Sequence, residues 1–542
     1  MTEINNDDKK IYNLSIYLLK ESVENFEDAL KYKPKYIFEI KEDLEIDGII
    51  CLGDEKTSVP HWLELLQEGI DQTLPDFSNT SNRALILISF EARIFAIPFG
   101  YGKSMLKDDV IDRDVALKTA LNMINSDSLR SLDRANLDNL GVMTKTQSSA
   151  KGKQENFNVD PVRDLLKGVT GGTDADKMVL GPNVTGSEGI SINPSIEFAD
   201  IISIIEKINE SAASLKYKAK FGWIDNLKQA KDPLVIDALQ VELLKDLKAK
   251  DSDKIVLTPN AFIEWEVFEG VSFTPKGSLY QDFNIETFYE VSEREITEDW
   301  EHFQNFRIYF KYSNSEVREN MPIWRCINYE TTYNGFLFVF MGGNWYRINK
   351  DYVAEIKSFA ETFLESELNF IDCESGWTEE VFNVRLSESN ADYHLLDRKL
   401  IRTDLIRSEI ELCDVFTQSK ELVHVKFYKG SSSLSHLFSQ GRISSNLLMK
   451  DESFRRNARK KIGSLGVDRN LIPINRNDFK RHEYTITFAI IDKKERSFVN
   501  SLPFFSLLNF RLSAEELSNW GYNVRVKKIN MVEDLLLGPK TP

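Results

Sequence analysis

Apolar and polar positions alternate with a period of two at the start of the chain, so residues 11–19, IYNLSIYLL, predict an opening strand. A helix near Val23–Tyr32 follows, then strands near Tyr36–Ile40 and Gly48–Leu52, a helix over 61–71, and a long β-hairpin over 84–98. From Asp108 to Met123 the apolar spacing turns helical, and it does so again over Ser195–Lys216 and Leu234–Lys250. Residues 143–195 are rich in Gly, Thr, Ser and Asn with few long apolar periods, and predict an irregular segment. A β-rich, aromatic region covers roughly 254–348 and closes on GFLFVFMGGNWYRI, a hairpin turning at Gly342–Gly343. Residues 350–366 predict a helix.

The last block reads as a helix (Trp377–Glu388), three strands (Tyr393–Ile401, Glu409–Phe416, Glu421–Phe427), a helix (Leu434–Leu448) and a strand (Tyr484–Asp492). The expected fold class is therefore α/β and α+β, multidomain. Four regions are expected: an N-terminal α/β module (1–105), a mainly helical region (106–253) with the irregular segment 143–195, a β-rich region (254–366), and a C-terminal α/β domain (367–542) with an α-β-β-β-α-β core.

Composition narrows the class without naming it. A chain of 542 residues with 42% hydrophobic and 28% charged residues can bury a large core without disulfides or structural metal. Cys51, Cys326, Cys373 and Cys413 are widely spaced and form no CxxC, which predicts reduced thiols and a cytoplasmic location. No signal peptide opens the chain, and no apolar run approaches the ~18 residues that span a bilayer, so no membrane partner is expected. The net charge of −17 disfavours indiscriminate phosphate binding. The charge is uneven, however: residues 426–482 hold 13 Lys/Arg against 4 Asp/Glu. Within that patch Lys429, Arg442, Arg455, Arg456, Arg459 and Lys460 are candidates for nucleic-acid binding. The bland reading of the patch is a solvated basic helix face.

The chemistry concentrates in residues 409–440. Asp414 falls near the end of one expected strand, His424 and Lys426 share a face of the next, and Gln440 follows on a helix. A carboxylate on an otherwise apolar face is costly unless it is paired or metal-bound. Asp414 is thus the expected principal ligand of Mg²⁺ or Mn²⁺, with Glu380, Asp397 or Glu411 as further ligands. Period-two alternation places Asp414 with Ile410, Leu412 and Phe416, and Glu411 on the opposite face. Lys426 would stabilise transition-state charge, His424 would serve as ligand or base, and Gln440 would position a phosphate or water. An ordinary β-meander with an Asp–Lys pair would need none of these roles.

Other motifs carry less. FGYGKS at 99–104 lacks the first glycine of a phosphate-binding loop, because Ile97 stands five residues before Gly102. The glycines of LLKGVTGG (165–172) and TGSEG (185–189) lack dinucleotide spacing and read as loops. His61, His302 and His482 are isolated, and His436 stands at i, i+4 from Gln440. The aromatics from Trp265 to Phe268, with Phe273, read as core.

The order strand-borne Asp, turn, strand-borne Lys, helix resembles the metal-dependent nucleases of the restriction-endonuclease type. The departure is His424, where that pattern has Asp or Glu; it implies either a preference for Mn²⁺ or a core that binds without cutting. The chain as a whole resembles a sporadically distributed bacterial family of similar length. The resemblance rests on NLSIYLLK (13–20), FGYGKSML (99–106), LRSLDRANLD (129–138), FNVDPVRDLLKGVTG (157–171), TGSEGI (185–190) and VHVKFYKGSSSLSHLFSQG (423–441). It implies a place among bacterial anti-phage defence genes and supplies no reaction. The expected function is a divalent-metal-dependent nuclease acting on DNA or RNA. The alternative is a non-enzymatic adaptor that binds nucleic acid or senses a phage-derived trigger; a homo-oligomer fits either.

Overall fold

The computed structural model describes residues 9–532, apart from 61, 138–141, 174–176, 253, 260–262, 293–295, 314–317, 403–408 and 429–430. It is a multidomain, mixed α/β protein. Among the described residues no helix is long and apolar enough to cross a membrane, and all four cysteines are buried thiols.

The first 200 residues build a ten-stranded sheet. The expected strands and hairpin near its start are present as Leu14–Leu18, Tyr36–Glu39, Gly48–Leu52, Arg83–Phe90 and Arg93–Gly100. The segment 143–195, expected to be irregular, is instead strand: Met143–Gly152, Asp164–Gly172, Asn183–Gly186 and Ile190–Ile192 all join this sheet. The glycines that read as loop signals have a packing reason. A Cβ on Gly186 would sit 2.1 Å from Cβ of Ala120, and one on Gly171 would sit 2.4 Å from Cγ2 of Ile124. Carbon–carbon contacts need about 3.5 Å or more. These positions must therefore be bare for the helix Arg113–Met123 to lie against the sheet.

The aromatic middle of the chain forms a five-stranded antiparallel sheet and a separate three-stranded one. The hairpin Phe336–Met341/Asn344–Ile348 turns at Gly342–Gly343, both at positive φ. Trp265 is exposed, whereas Phe273 is core.

The C-terminal unit positions the candidate site. Its elements are α1 (Glu379–Glu388), β1 (Tyr393–Leu395), β2 (Val415–Thr417), β3 (Glu421–Phe427), α2 (Ser431–Lys450), β4 (Thr485–Asp492), α3 (Phe504–Asn519) and β5 (Asn523–Val532). The sheet runs β1-β2-β3-β4-β5 and ends on the short strand Cys373–Glu374. β2 is antiparallel to both β1 and β3, whereas β3, β4 and β5 are parallel. Parallel strands are buried on both faces, which is why TITFAIID is an almost unbroken apolar run. Val423 and Val425 pack with Phe382 and Leu386 of α1; Leu422, Phe488 and Ile490 pack with Phe438 of α2 and Phe510 of α3.

The second expected strand, Glu409–Phe416, is not continuous. Glu409–Ile410 pairs with Ile401–Arg402 in a separate two-stranded ribbon, and the main sheet resumes only at Val415. Tyr393–Ile401 is broken in the same way.

The middle and C-terminal parts are joined through Glu330. Its carboxylate, on the strand Ile327–Tyr333, accepts the N–H groups of Phe504 at 2.8 Å and Phe505 at 3.3 Å, at the start of α3. Pro503 offers no side-chain cap there, so Glu330 does that work from another part of the chain. Burial outweighs these bonds and pushes the Glu330 carboxyl up to about 7. A folded pKa above the unfolded one means that the group's stabilising contribution is complete below about pH 4.5 and is lost as pH rises through about 7. Thermal unfolding followed across that window should show Tm falling with pH, and Glu330→Gln should flatten the fall. An unchanged slope in the variant would refute the assignment.

Candidate metal centre

The site forms where β1, β2 and β3 meet the N-terminus of α1. Asp414 closes the gap between the two-stranded ribbon and β2. Its N–H donates to Val423 O at 3.0 Å, and its own carbonyl accepts the N–H groups of Leu396 at 2.8 Å and Asp397 at 2.9 Å. Its side chain, 7% exposed, accepts the Val425 N–H at 2.7 Å. The carboxylate thus satisfies a β3 donor that regular pairing would have given to a carbonyl.

The chain bend does what strand periodicity forbade. Asp397, Glu411 and Asp414 offer carboxylate oxygens that all lie within 4.8 Å of one another. Glu411 would face away from Asp414 on a continuous strand; the break in 409–416 swings it inward. Arg398, at φ 57°, carries the turn that presents Asp397, and its N–H donates to the Glu411 carboxylate. Asn383 Nδ2 donates to Asp397 Oδ2 at 3.3 Å.

Burial and like charge both disfavour the ionised forms of this cluster. Burial drives the Asp414 carboxyl well above the usual carboxylate range, against the Val425 N–H, and the nearby charges of Glu411, Asp397 and Glu379 push it further. Burial raises Glu411 as well, with Asp397 adding to the shift. Three crowded carboxylates of this kind suit a hard divalent cation, which would remove the repulsion and favour all three ionised forms.

Lys426 lies beside this cluster. Its Nζ is 2.9 Å from Oε1 of Glu379, whose other oxygen accepts the Phe427 N–H at 3.4 Å. Thr378 caps α1, with its hydroxyl accepting from Val381 N, so Glu379 sits in the first turn, where negative charge is favoured. Asn383 follows at i+4 on the same face. Both were legible as an acidic helix start with a polar residue one turn on, but the reading of the sequence fixed on Glu380. Glu380 is exposed and pairs instead with Arg398 at 2.7 Å.

His424 takes another place. Its ring lies 6.1 Å from that of Phe488, and Gly441 of α2 is so near that a Cβ there would be 3.4 Å from the imidazole. It is 2% exposed, its Nε2 has no partner among the described residues, and burial alone lowers its pKa to about 3. It is a neutral core histidine facing α2, not a member of the carboxylate cluster. Gln440 is half-buried on α2, and among the described residues no hydrogen bond joins it to the carboxylates.

Part of the basic patch is structural. Arg455 is 1% exposed and donates to the carbonyls of Ile474 at 2.8 Å, Leu448 at 2.7 Å and Met449 at 3.2 Å. Its expected place on a nucleic-acid surface is therefore corrected. Arg459 bonds to the carbonyl of Arg469 at 2.8 Å and to Asn470 at 2.9 Å. Arg442 pairs with Glu516 at 3.1 Å and Arg456 with Glu452 at 2.9 Å. Lys460 is exposed, and Lys429 lies outside the described residues.

The chain belongs to the DUF6119 family, a family of unknown function, which it matches over residues 14–530. No curated protein and no solved structure matches it.

Two measurements check this geometry. Millimolar Mn²⁺ or Mg²⁺ should raise Tm, and Asp414→Asn, which keeps an acceptor for Val425 N–H, should abolish the rise. An equal rise in that variant would place the cation elsewhere. Arg455→Met leaves three carbonyls without their donor and should cost about 2–4 kcal/mol in denaturant unfolding. Lys460→Ala should cost under about 0.5 kcal/mol; a neutral Arg455→Met would show that the buried guanidinium is dispensable.

Proposed function

We propose that the chain is a divalent-metal-dependent nuclease that cleaves DNA or RNA phosphodiesters at the Asp414 centre. The observation that carries this reading is one juxtaposition: three carboxylates within 4.8 Å and a lysine held at 2.9 Å by Glu379, all where β1–β3 meet α1. The order α1-β1-β2-β3-α2-β4, with an antiparallel meander followed by a parallel strand, supports a restriction-endonuclease-like core. The role in anti-phage defence rests on the family resemblance, and a phage-derived trigger or self-association would act through the remaining domains.

In this reading Asp414, Asp397 and Glu411 hold Mg²⁺ or Mn²⁺. The cation, when bound, polarises a phosphoryl oxygen and acidifies a water. Lys426 places an ammonium beside the cluster, where it offsets negative charge that develops on the phosphoryl oxygens. Glu379 is a positioning residue that fixes where that ammonium points. His424, neutral and turned toward α2, has a packing role, and Gln440 has no assigned step.

The pairing of Lys426 with Glu379 also favours a second reading, in which a charge-neutralised core binds nucleic acid without cutting it. Incubating the purified protein with labelled DNA and RNA, with Mn²⁺ or Mg²⁺, separates the two. Cleavage should require the cation and fall by about 10²-fold or more in Lys426→Ala and Asp414→Asn with Tm near that of the parent in metal-free buffer. Metal-independent binding that weakens with salt, without cleavage, would move the weight to the binding protein.

A further inference from the structure

A second site stands apart from the carboxylate cluster, where the ten-stranded sheet meets the five-stranded one. Three sequence blocks that the nuclease reading leaves unused converge there: GYGKS supplies Lys103, LLKGVTG supplies Lys167, and TGSEG supplies Glu188. Arg113 comes from the start of the helix Arg113–Met123, and Arg325 comes from the short turn before the five-stranded sheet. They surround one carboxylate. Glu188 takes Lys103 at 2.6 Å, Arg113 Nε at 3.0 Å and Arg325 at 2.6 Å. Arg113 holds its carboxyl far below the usual range, ahead of Lys103 and Arg325, although burial opposes them.

One carboxylate cannot satisfy this many cations. Nη2 of Arg113 is buried and has no hydrogen-bond partner among the described residues. Lys167 likewise has no hydrogen bond or ion pair among the described residues, and burial lowers its ammonium to about 8. The other acids that line the same space are engaged elsewhere: Asp114 pairs with Lys118 at 2.9 Å, and Asp133 with Lys145 at 3.6 Å. Asp108, 3.6 Å from Arg325, offsets one further charge from outside. Arg113 Nη2 and Lys167 are thus left as donors without an acceptor on a cavity of about 480 Å³, lined by Arg113, Lys167 and Arg325 together with Glu188, Asp114 and Asp133. Leu117, Leu165 and Ile224 add apolar surface to the lining, and Ser187, Asn344 and Tyr346 add polar groups. That size and that mixture of an apolar wall with a few convergent polar groups suit a small organic ligand.

We propose that this cavity binds a phosphate-bearing small molecule of nucleotide size. Its phosphate would be held by Arg113 Nη2 and Lys167, and its body would lie on the Leu117–Leu165–Ile224 wall. A phosphate is preferred to a carboxylate because two unmatched donors on different elements, Arg113 Nη2 and Lys167, call for an anion with several acceptor oxygens. Guanidinium forks and ammonium groups are the side chains that recognise it. Because Arg113 and Lys167 belong to the first sheet unit and Arg325 and Tyr346 to the second, an occupied cavity would tie the two together.

The test is calorimetric titration of the full chain, without divalent cation, with ADP, inorganic phosphate and adenosine. ADP should bind, inorganic phosphate should bind more weakly, and adenosine should not bind measurably. Lys167→Met, which removes a buried charge and so should fold, should weaken ADP about tenfold or more, which is the loss of one charged hydrogen bond. Lys167→Arg should retain most of the affinity, and Asp414→Asn should leave it unchanged, which separates this site from the metal centre. The proposal is overturned if neither ADP nor inorganic phosphate binds, if adenosine binds as tightly as ADP, or if folded Lys167→Met binds like the parent.

Discussion

Asp414 is where the C-terminal unit concentrates its electrostatic cost. Its backbone ties the loop at Leu396–Asp397 to β3, and its carboxylate replaces a main-chain acceptor for the Val425 N–H. A carboxyl 7% exposed, with Glu411 and Asp397 at hand, is unfavourable as an anion. The single backbone bond that it accepts does not offset burial, since its pKa is still driven upward. An asparagine at this position would keep an acceptor for the Val425 N–H without the buried charge. A divalent cation would relieve that cost, and burial separates Asp414 from an acid on a solvated surface.

The elements that pack on one repeating pattern were legible in the sequence. The hairpin at Gly342–Gly343 and the buried run of β4 follow from turn chemistry and from burial on both faces. The failures share a cause, which is that a local pattern was set by a distant partner. Gly171 and Gly186 looked like loop residues because what they accommodate, Ile124 and Ala120, lies on a helix more than forty residues away in sequence. Glu411 was assigned to the wrong face because the 409–416 run was treated as a single strand, whereas its first two residues pair with Ile401–Arg402. Glu380 was expected as a further metal ligand, whereas its neighbour Glu379 is the acid that meets Lys426: the two are adjacent and chemically equal, and only the docking angle of α1 decides between them. His424 and Lys426 do alternate onto one face, yet Lys426 lies at the strand's end and reaches Glu379, while His424 stays under α2.

The charge distribution follows the same logic. Residues 426–482 are the basic stretch of an acidic chain, and sequence alone suggests a nucleic-acid surface. In the fold Arg455 and Arg459 serve as internal donors to carbonyls that close the loop after the helix Glu452–Gly463. Arginine suits that work because it stays charged and presents several donors in a fixed fork. Composition counts such residues as free charge, and geometry removes them from the count.

The consequence reaches the site itself. Arg455 is buried and Arg442 and Arg456 are paired to glutamates, while Lys450, Lys460, Arg469, Arg476, Lys480 and Arg481 stay exposed. A phosphate backbone would meet net repulsion at Asp397, Glu411 and Asp414 unless a cation reversed the local sign. On the proposed reading, cation binding and substrate binding would be thermodynamically linked: each would favour the other because the carboxylates are tolerable neighbours for phosphate only when neutralised. Lys426 cannot take over that role, since its charge is already matched by Glu379 at 2.9 Å. A bound cation would set the local field at this centre, and the protein's own contribution is the fixed geometry that α1 and the broken second strand impose on the three carboxylates.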